Sequence, residues 1–187
     1  MIRFSSERPV PPISSEEAVL AVLAASPGHQ VHGKKRFHKI TFFCAYCDQA
    51  IQARFSIRHF GVFSTEIADA LDVLSTFGDL ETRDEQVGPN RYFTTVFSLH
   101  EKAKHRSTPV ISEVAKMLAR YTTPSLEVAS TVAYFTRRGF SEADAVEETT
   151  RIKPAISTPS QFAISKNLLK ELADLRASKH GQRSENP

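Results

Sequence analysis

The sequence predicts a mainly α-helical fold with a small β-hairpin or sheet, in which a winged-helix-like N-terminal half precedes a helical C-terminal half. The first observation is the stretch 58–80, where an extended segment turns at Gly61 into a capped amphipathic helix that ends at Gly78 and leads to a hairpin. The second is a series of helix start signals beyond residue 107, each followed by apolar residues at helical spacing. We expect four parts, namely an extended arm (1–13), a winged-helix-like domain (14–100), a helical region packed on it (101–177) and a frayed tail (178–187).

Caps and apolar spacing define the first two helices. Ser14 and Glu17 match the S-x-x-E capping box, so a first helix should begin at Ser14 and run to about Ala25. A longer second helix is expected over about 33–53, because apolar residues recur along one face. That face comprises Phe37, Ile40, Cys44, Cys47 and Ile51.

The third helix has the strongest signals. Ser64 precedes it as an N-cap, Glu66 lies in its first turn, and Gly78 suits the left-handed position after its last residue. Its apolar residues recur at three- and four-residue steps and should form one buried stripe. The stripe comprises Ile67, Ala70, Leu71, Leu74 and Phe77.

A hairpin is predicted directly after this helix. Strand-forming residues occupy 80–83 and 91–97, and Gly, Pro and Asn at 88–90 favour a turn between them. Phe55 and Ile57 alternate with polar neighbours, which predicts a short strand. We expect that strand to pair with the hairpin and complete a small sheet.

Four helices are expected in the C-terminal half. Three Thr-Pro pairs, beginning at 108, 123 and 158, each place a capping hydroxyl before a first-turn proline. Ser141 is the cap of a further helix, which Pro154 ends. The apolar stripes of these helices suit packing against the N-terminal half or against a partner helix.

Composition excludes several classes of protein. The 187-residue chain is 41% hydrophobic and 24% charged, as is usual for soluble globular proteins. Its longest apolar run, 18–25, is too short to cross a bilayer and follows two glutamates, so neither a membrane partner nor a signal peptide is expected. Two cysteines without a secretory signal indicate a reducing compartment, and we expect a cytoplasmic protein.

Charge is distributed unevenly along the chain. Residues 34–60 contain six Lys or Arg against one acidic residue, a balance of +5, whereas 61–90 contain one Arg against seven acidic residues, a balance of −6. We define the acidic group as Glu66, Asp69, Asp72, Glu81, Asp84 and Glu85. We define the basic group as Lys34, Lys35, Arg36, Lys39, Arg54 and Arg58. Both groups are candidate binding residues, the acidic one for a protein partner and the basic one for nucleic acid or a protein.

Three segments together resemble a known family. GKKRFHKITFF, HFGVFSTEIADAL and LEVASTVAYFTRRGFSEADAVEETTRIKP are similar in order and spacing to the small bacterial and archaeal family typified by YwgA. This resemblance covers roughly 19–156 and implies a winged-helix-like N-terminal half with a helical C-terminal half, but no particular activity. A weaker likeness to Panacea or SocA-like antitoxin domains implies a role in neutralising or delivering toxins. The Gly-Pro-Tyr-Ser turn of these families is Gly61, Val62, Phe63 and Ser64 in this sequence.

The charge pattern favours protein–protein interaction. A basic face beside an acidic helix and hairpin is complementary to another protein, or to a second copy of this chain. An antitoxin, adaptor or accessory subunit is the expected kind of function. The alternative is a DNA-binding regulator that uses the basic group, since an acidic third helix would repel phosphate in the usual docking. A purely structural explanation, in which the two faces neutralise one another within the fold, stays open.

No catalytic residues are predicted. The chain lacks a G-x-S-x-G elbow, a P-loop, a dinucleotide glycine fingerprint and an H-E-x-x-H motif. Cys44-x-x-Cys47, with His38 and His59 as further ligands, resembles a metal site. Both cysteines are expected mid-helix on the apolar face of the second helix, however, where thiols pack as small hydrophobes. We therefore expect a non-enzymatic protein without a metal or cofactor.

Overall fold

The structure, a computed structural model, describes residues 12–47, 50–88, 92–101 and 107–184. Within this part of the chain it is mainly helical with two small antiparallel sheets, which confirms the predicted mainly α-helical composition with a small β-sheet. The helices are α1 (Ser15–Ala25), α2 (Lys34–Cys47), α3 (Thr65–Phe77), α4 (Pro109–Leu118), α5 (Thr123–Arg137), α6 (Glu142–Ile152) and α7 (Pro159–Ser184). The strands are β1 (Gln30–His32), β2 (Ser56–Arg58), β3 (Gly61–Phe63), β4 (Leu80–Val87) and β5 (Tyr92–Leu99). None of the described helices is both long and apolar enough to cross a bilayer.

The termini of α1 and α3 match the caps that the sequence predicts, whereas α5 is capped by Thr122 rather than by the predicted Thr123. The Ser14 hydroxyl accepts a hydrogen bond from the Glu17 backbone, and the Glu17 carboxylate accepts one from the Ser14 backbone, so the capping box is complete. Ser64 caps α3 in the same way through the Ile67 backbone N–H. Gly78 follows α3 with φ of 80°, a left-handed conformation that glycine adopts without steric cost. These local signals therefore position both ends of α3.

The main sheet differs from the predicted one in its third strand. Its order is β1-β5-β4, with Val31 opposite Phe97 and Leu80 opposite Leu99. We predicted that the strand around Phe55 and Ile57 would pair with the hairpin, and this is wrong. That strand, β2, forms a separate two-stranded sheet with β3, because the chain reverses immediately after Arg58. The place beside the hairpin belongs to β1, which the sequence did not predict.

Helix α2 is shorter than predicted. It ends at Cys47 rather than near residue 53, because the backbone beyond it bonds to the N-terminal segment instead of to its own helix. Ile13 donates to the Ala50 carbonyl at 2.8 Å and accepts from the Gln52 N–H at 3.1 Å. The end of the predicted extended arm is therefore paired with residues 50–52.

Two other expectations are corrected. Phe77, predicted to lie in the buried stripe of α3, is 79% exposed, because α3 extends past the core and Leu80 is the buried residue at this end. The tail predicted to fray from Ser178 is helical as far as Ser184. The predicted turn residues 89–90 and most of the predicted arm lie outside the described residues.

Helices α2 and α5 form the centre of the molecule. Eight consecutive residues of α2, from Phe37 to Cys44, and nine of α5, from Ser125 to Ala133, are buried. Helix α5 contacts α2, β3, α6 and α7, and α2 also contacts α4. Because a helix that is buried on all sides must pack against several elements, these two helices join the halves of the chain.

Candidate functional site

The outward face of α3 combines carboxylates with exposed apolar side chains. Asp69 and Asp72 are exposed on it, as are Val73 and Phe77. No Lys or Arg occurs in α3. Glu66 lies at the N-terminal end, where the pKa of its carboxyl is lowered by hydrogen bonds from its own backbone N–H and the Ser64 hydroxyl. This face is therefore negative and partly apolar.

Acidic residues of the hairpin are partly engaged with neighbouring side chains. Glu85 contacts Arg83 at 2.7 Å and His32 Nδ1 at 3.4 Å, while Glu81 lies 3.6 Å from His100 Nε2. Asp84 accepts a hydrogen bond from the Thr95 hydroxyl at 2.9 Å. The apolar residues near the turn are exposed and comprise Val87, Tyr92 and Phe93.

The basic group does not form one patch. Lys34 lies 3.5 Å from Asp72, and Arg54 lies 3.3 Å from Glu66, so two of its members contact the acidic group directly. Both contacts involve well-exposed side chains, and such pairs contribute little to stability. They nevertheless neutralise part of the charge that a nucleic acid would need. Arg58 is exposed on β2.

Arg36 points into the protein. Its guanidinium donates hydrogen bonds to the backbone carbonyls of Leu118 and Tyr121, at 3.0 and 2.7 Å, and thereby satisfies the C-terminal end of α4. Burial lowers the pKa of this guanidinium. Arg36 therefore fastens α4 to α2 rather than facing a partner.

Lys39, also assigned to the basic group, is buried, and this part of the prediction is wrong. Its side chain is 1% exposed and faces the turn between β2 and β3. The ammonium donates to the carbonyl oxygens of Phe60 and Val62, at 2.7 and 2.8 Å. Lys39 was assigned to the basic group because it follows Lys34, Lys35 and Arg36 in a run of positive charge, whereas these two carbonyls provide the inward partners that a buried lysine needs.

The same turn contacts a buried ion pair from the C-terminal half. Lys153, at the end of α6, lies 2.8 Å from the Glu127 carboxylate of α5, and both side chains are less than a tenth exposed. Lys153 also donates to the His59 carbonyl. The second oxygen of Glu127 lies 3.2 Å from Lys35. We call Lys39, Glu127 and Lys153 the buried ionic network; Lys35, whose side chain is 41% exposed, lies at its edge.

Together with Lys35, this network contains three ammonium groups and one carboxylate. Burial, opposed by Glu127 but reinforced by Lys153 and Lys35, lowers the pKa of Lys39 to about 8. A neutral Lys39 amine would still have two N–H donors for its two carbonyl partners. Lys39 can therefore keep its hydrogen bonds to the turn in either protonation state. With Lys153 bound to the His59 carbonyl, the network acts as a structural clamp that holds residues 59–62 in place.

His38 is buried beside this clamp. Its Nδ1 lies 3.5 Å from the Ser64 backbone N–H at the start of α3, and its Nε2 is buried without a hydrogen-bond partner among the described residues. The ring packs against Phe63, with centroids 4.3 Å apart. Burial, with smaller contributions from Lys39 and Lys34, lowers the pKa of His38 to about 3. The imidazole is therefore neutral at physiological pH.

The two cysteines lie at different places along α2. Cys44 is fully buried, and Cys47 is the last residue of α2 rather than mid-helix. Within the described ranges, no three His, Cys, Asp or Glu side chains converge as a metal site would require.

Sequence reasoning missed Glu127 and Lys153. One signal was present in the sequence, since Glu127 interrupts the apolar and small residues of LEVASTVA, which is the buried part of α5. A carboxylate in such a segment implies a buried cationic partner. The identity of that partner depended on the tertiary fold.

Comparisons with known protein families, with curated proteins and with solved structures find no match for this chain.

Proposed function

We propose that this chain is a non-enzymatic protein of winged-helix type that binds another protein through the outward face of α3 and the β4–β5 hairpin. The element order α1, β1, α2, α3, β4, β5, with the small β2–β3 sheet inserted between α2 and α3, and the sheet order β1-β5-β4 support the winged-helix assignment. In that arrangement α3 takes the place of the recognition helix and the hairpin takes the place of the wing. An antitoxin, adaptor or accessory subunit would use such a surface.

The observation that carries the proposal is the composition of the α3 face. Phe77 is 79% exposed and Val73 42% exposed, on the same helix as Asp69 and Asp72. Exposed aromatic and aliphatic residues bordered by charge are typical of protein interfaces, where an aromatic side chain often provides much of the affinity. The carboxylates favour a partner with a basic rim.

DNA binding is the weaker alternative. Conventional docking would bring Asp69 and Asp72 against phosphates, which repel them. The basic group offers little compensation, because Lys39 is buried and Arg36 is bound to α4. Fluorescence anisotropy of a labelled random-sequence duplex at low salt should therefore show no binding. Binding that falls with salt by about 0.9 log unit per phosphate contact, per log unit of salt, would support the DNA alternative instead.

Site-specific photo-crosslinking tests the partner surface. A photoreactive phenylalanine at position 77 should yield a crosslinked protein in cells that express the chain at its native level. The matched control places the same residue at Ile164, an exposed apolar position on α7. Asp69→Asn with Asp72→Asn should abolish the crosslink from position 77, because the charge that attracts the partner is removed.

Crosslinks of equal yield from both positions, or none from position 77, would contradict the proposal. A crosslinked species of twice the chain mass would identify the partner as a second copy.

A further inference from the structure

An apolar cavity of about 460 Å³ opens among the C-terminal helices, away from α3 and the hairpin. Its walls come from α5, α6 and α7, and Tyr46 near the end of α2 contributes to one side. Val132, Val146, Phe162 and Leu169 give it a mainly apolar lining. Sites for small ligands commonly have this size and character, about 300–1,000 Å³ with a few polar groups.

Two polar residues of the wall have hydrogen-bond partners in the protein. Thr136 donates to the Val132 carbonyl at 3.0 Å, and the buried Ser165 donates to the Ser125 carbonyl at 3.5 Å. These hydroxyl protons are thus used within the helices. An occupant would gain mainly from apolar contact inside the cavity and would need its polar group at the opening.

Two lysines line the cavity, and two arginines contact the ring of its residue Tyr46. The lysines are Lys166 and Lys170 of α7, which are exposed. Arg137 and Arg176 lie against the Tyr46 ring, with guanidinium carbons 5.5 and 5.7 Å from its centroid. One carboxylate, Glu142, also lines the cavity and lies 3.3 Å from Lys166 in a pair whose two side chains are mostly exposed. Such a pair is weak and can be replaced by another anion.

We propose that this cavity binds a free carboxylate with an apolar chain. The chain lies against the apolar walls, and the carboxylate lies between Lys166 and Lys170, close to the guanidinium groups beside Tyr46. A cationic head group would be repelled at this opening, and a neutral one would gain no charge interaction. The site is separate from the proposed protein-binding surface and does not depend on it.

Isothermal titration calorimetry of the full chain tests the site with three ligands that share one tail, namely octanoate, 1-octanol and octyltrimethylammonium, all below micelle formation. Octanoate should bind at least about tenfold more tightly than either of the others, since two ionic contacts distinguish it. Lys166→Gln with Lys170→Gln should weaken octanoate binding by about the same factor. Lys116→Gln on α4, which does not line the cavity, is the matched control and should bind as the wild type does.

A bulky substitution at an exposed residue of the cavity wall tests where the ligand binds without disturbing the core. Ala163 lines the cavity and is exposed, so Ala163→Phe should fill the opening and abolish octanoate binding. Ala173→Phe makes the same change on the same helix outside the cavity and should leave binding unchanged. The absence of octanoate binding, equal binding of the three ligands, or unchanged binding in Ala163→Phe would each overturn the proposal.

Discussion

At the scale of single residues, His38 and Lys39 of α2 are both buried but differ in their hydrogen bonds. The Lys39 ammonium donates to two backbone carbonyls, whereas His38 Nε2 has no partner within the described ranges. A buried donor without an acceptor is costly even when neutral, and a charge there costs more. Both side chains therefore make the stability of the fold depend on pH, in different ranges.

Protonation of His38 in the unfolded chain should lower the free energy of unfolding in mild acid. The pKa of His38 is about 3 in the folded protein, against 6.5 without the fold, so the unfolded chain takes up the proton first. The neutral imidazole thus favours the fold above pH 6.5, and this contribution is lost as the pH falls toward 3. Between pH 7 and pH 5, the wild type should lose about 2 kcal/mol more of unfolding free energy than His38→Phe. Urea unfolding followed by circular dichroism measures this difference, and parallel pH profiles would show that the folded protein accepts the proton.

Lys39 should also make stability rise with pH, but in the alkaline range. Its folded pKa of about 8 lies below the usual 10.5, so between these values the unfolded chain holds more protons and stability rises with pH. Relative to Lys39→Met, the wild type should gain about 2 kcal/mol of unfolding free energy between pH 7 and pH 9.5. Lys116→Met removes an exposed lysine and should follow the wild-type profile. A flat difference between wild type and Lys39→Met would mean that Lys39 stays charged throughout.

At the scale of elements, the turn between β2 and β3 depends on Gly61. Its φ is +87°, and a Cβ there would lie 3.3 Å from Glu127 Cγ and 3.4 Å from Lys39 Nζ. Gly78 has a similar φ of +80°, but a Cβ there would meet nothing within 4 Å. Gly78→Ala should therefore cost only the left-handed backbone energy, about 1–2 kcal/mol, whereas Gly61→Ala should cost clearly more. Thermal unfolding of the two variants gives this comparison. Equal losses of unfolding free energy would show that the side chains of the buried ionic network move aside for the new Cβ without an energetic cost.

The elements that the sequence could predict are those with local signals. Ser14, Ser64 and Gly78 act on their own helices, so the ends of α1 and α3 were accessible without the fold. Strand β1 has only three residues, too few to show alternation, and its partner strand lies much later in the chain. The charge of the α3 face was also evident in the sequence. Its exposed Phe77 was not, because periodicity indicates a stripe but not where the core ends.

At the scale of the whole molecule, the two halves share one core. A single cluster of buried apolar residues includes members from α1 and α3 as well as from α5 and α7. The sequence suggested a boundary near residue 100, but the buried ionic network crosses it, since α5 and α6 bind the turn that precedes α3. Such a network cannot be derived from sequence, because its residues come from three helices and bind a distant turn. We therefore expect the orientation of α3 to depend on the C-terminal half.

Glu127→Gln should consequently lower the free energy of unfolding of both halves by the same amount. Glu127 contacts the exposed Lys35 and the buried Lys153, and its loss leaves the buried ammonium groups of Lys153 and Lys39 without a compensating carboxylate among the described residues. Removing one partner of a buried ion pair typically costs about 3–5 kcal/mol, whereas Glu147→Gln at an exposed site of α6 should change stability by less than about 0.5 kcal/mol. Hydrogen exchange in low urea should show that amides of α3 and α6 lose the same free energy of protection in Glu127→Gln. If α3 instead keeps wild-type protection while α6 loses protection, the two halves fold independently. The orientation of the proposed partner surface would then not depend on the buried ionic network.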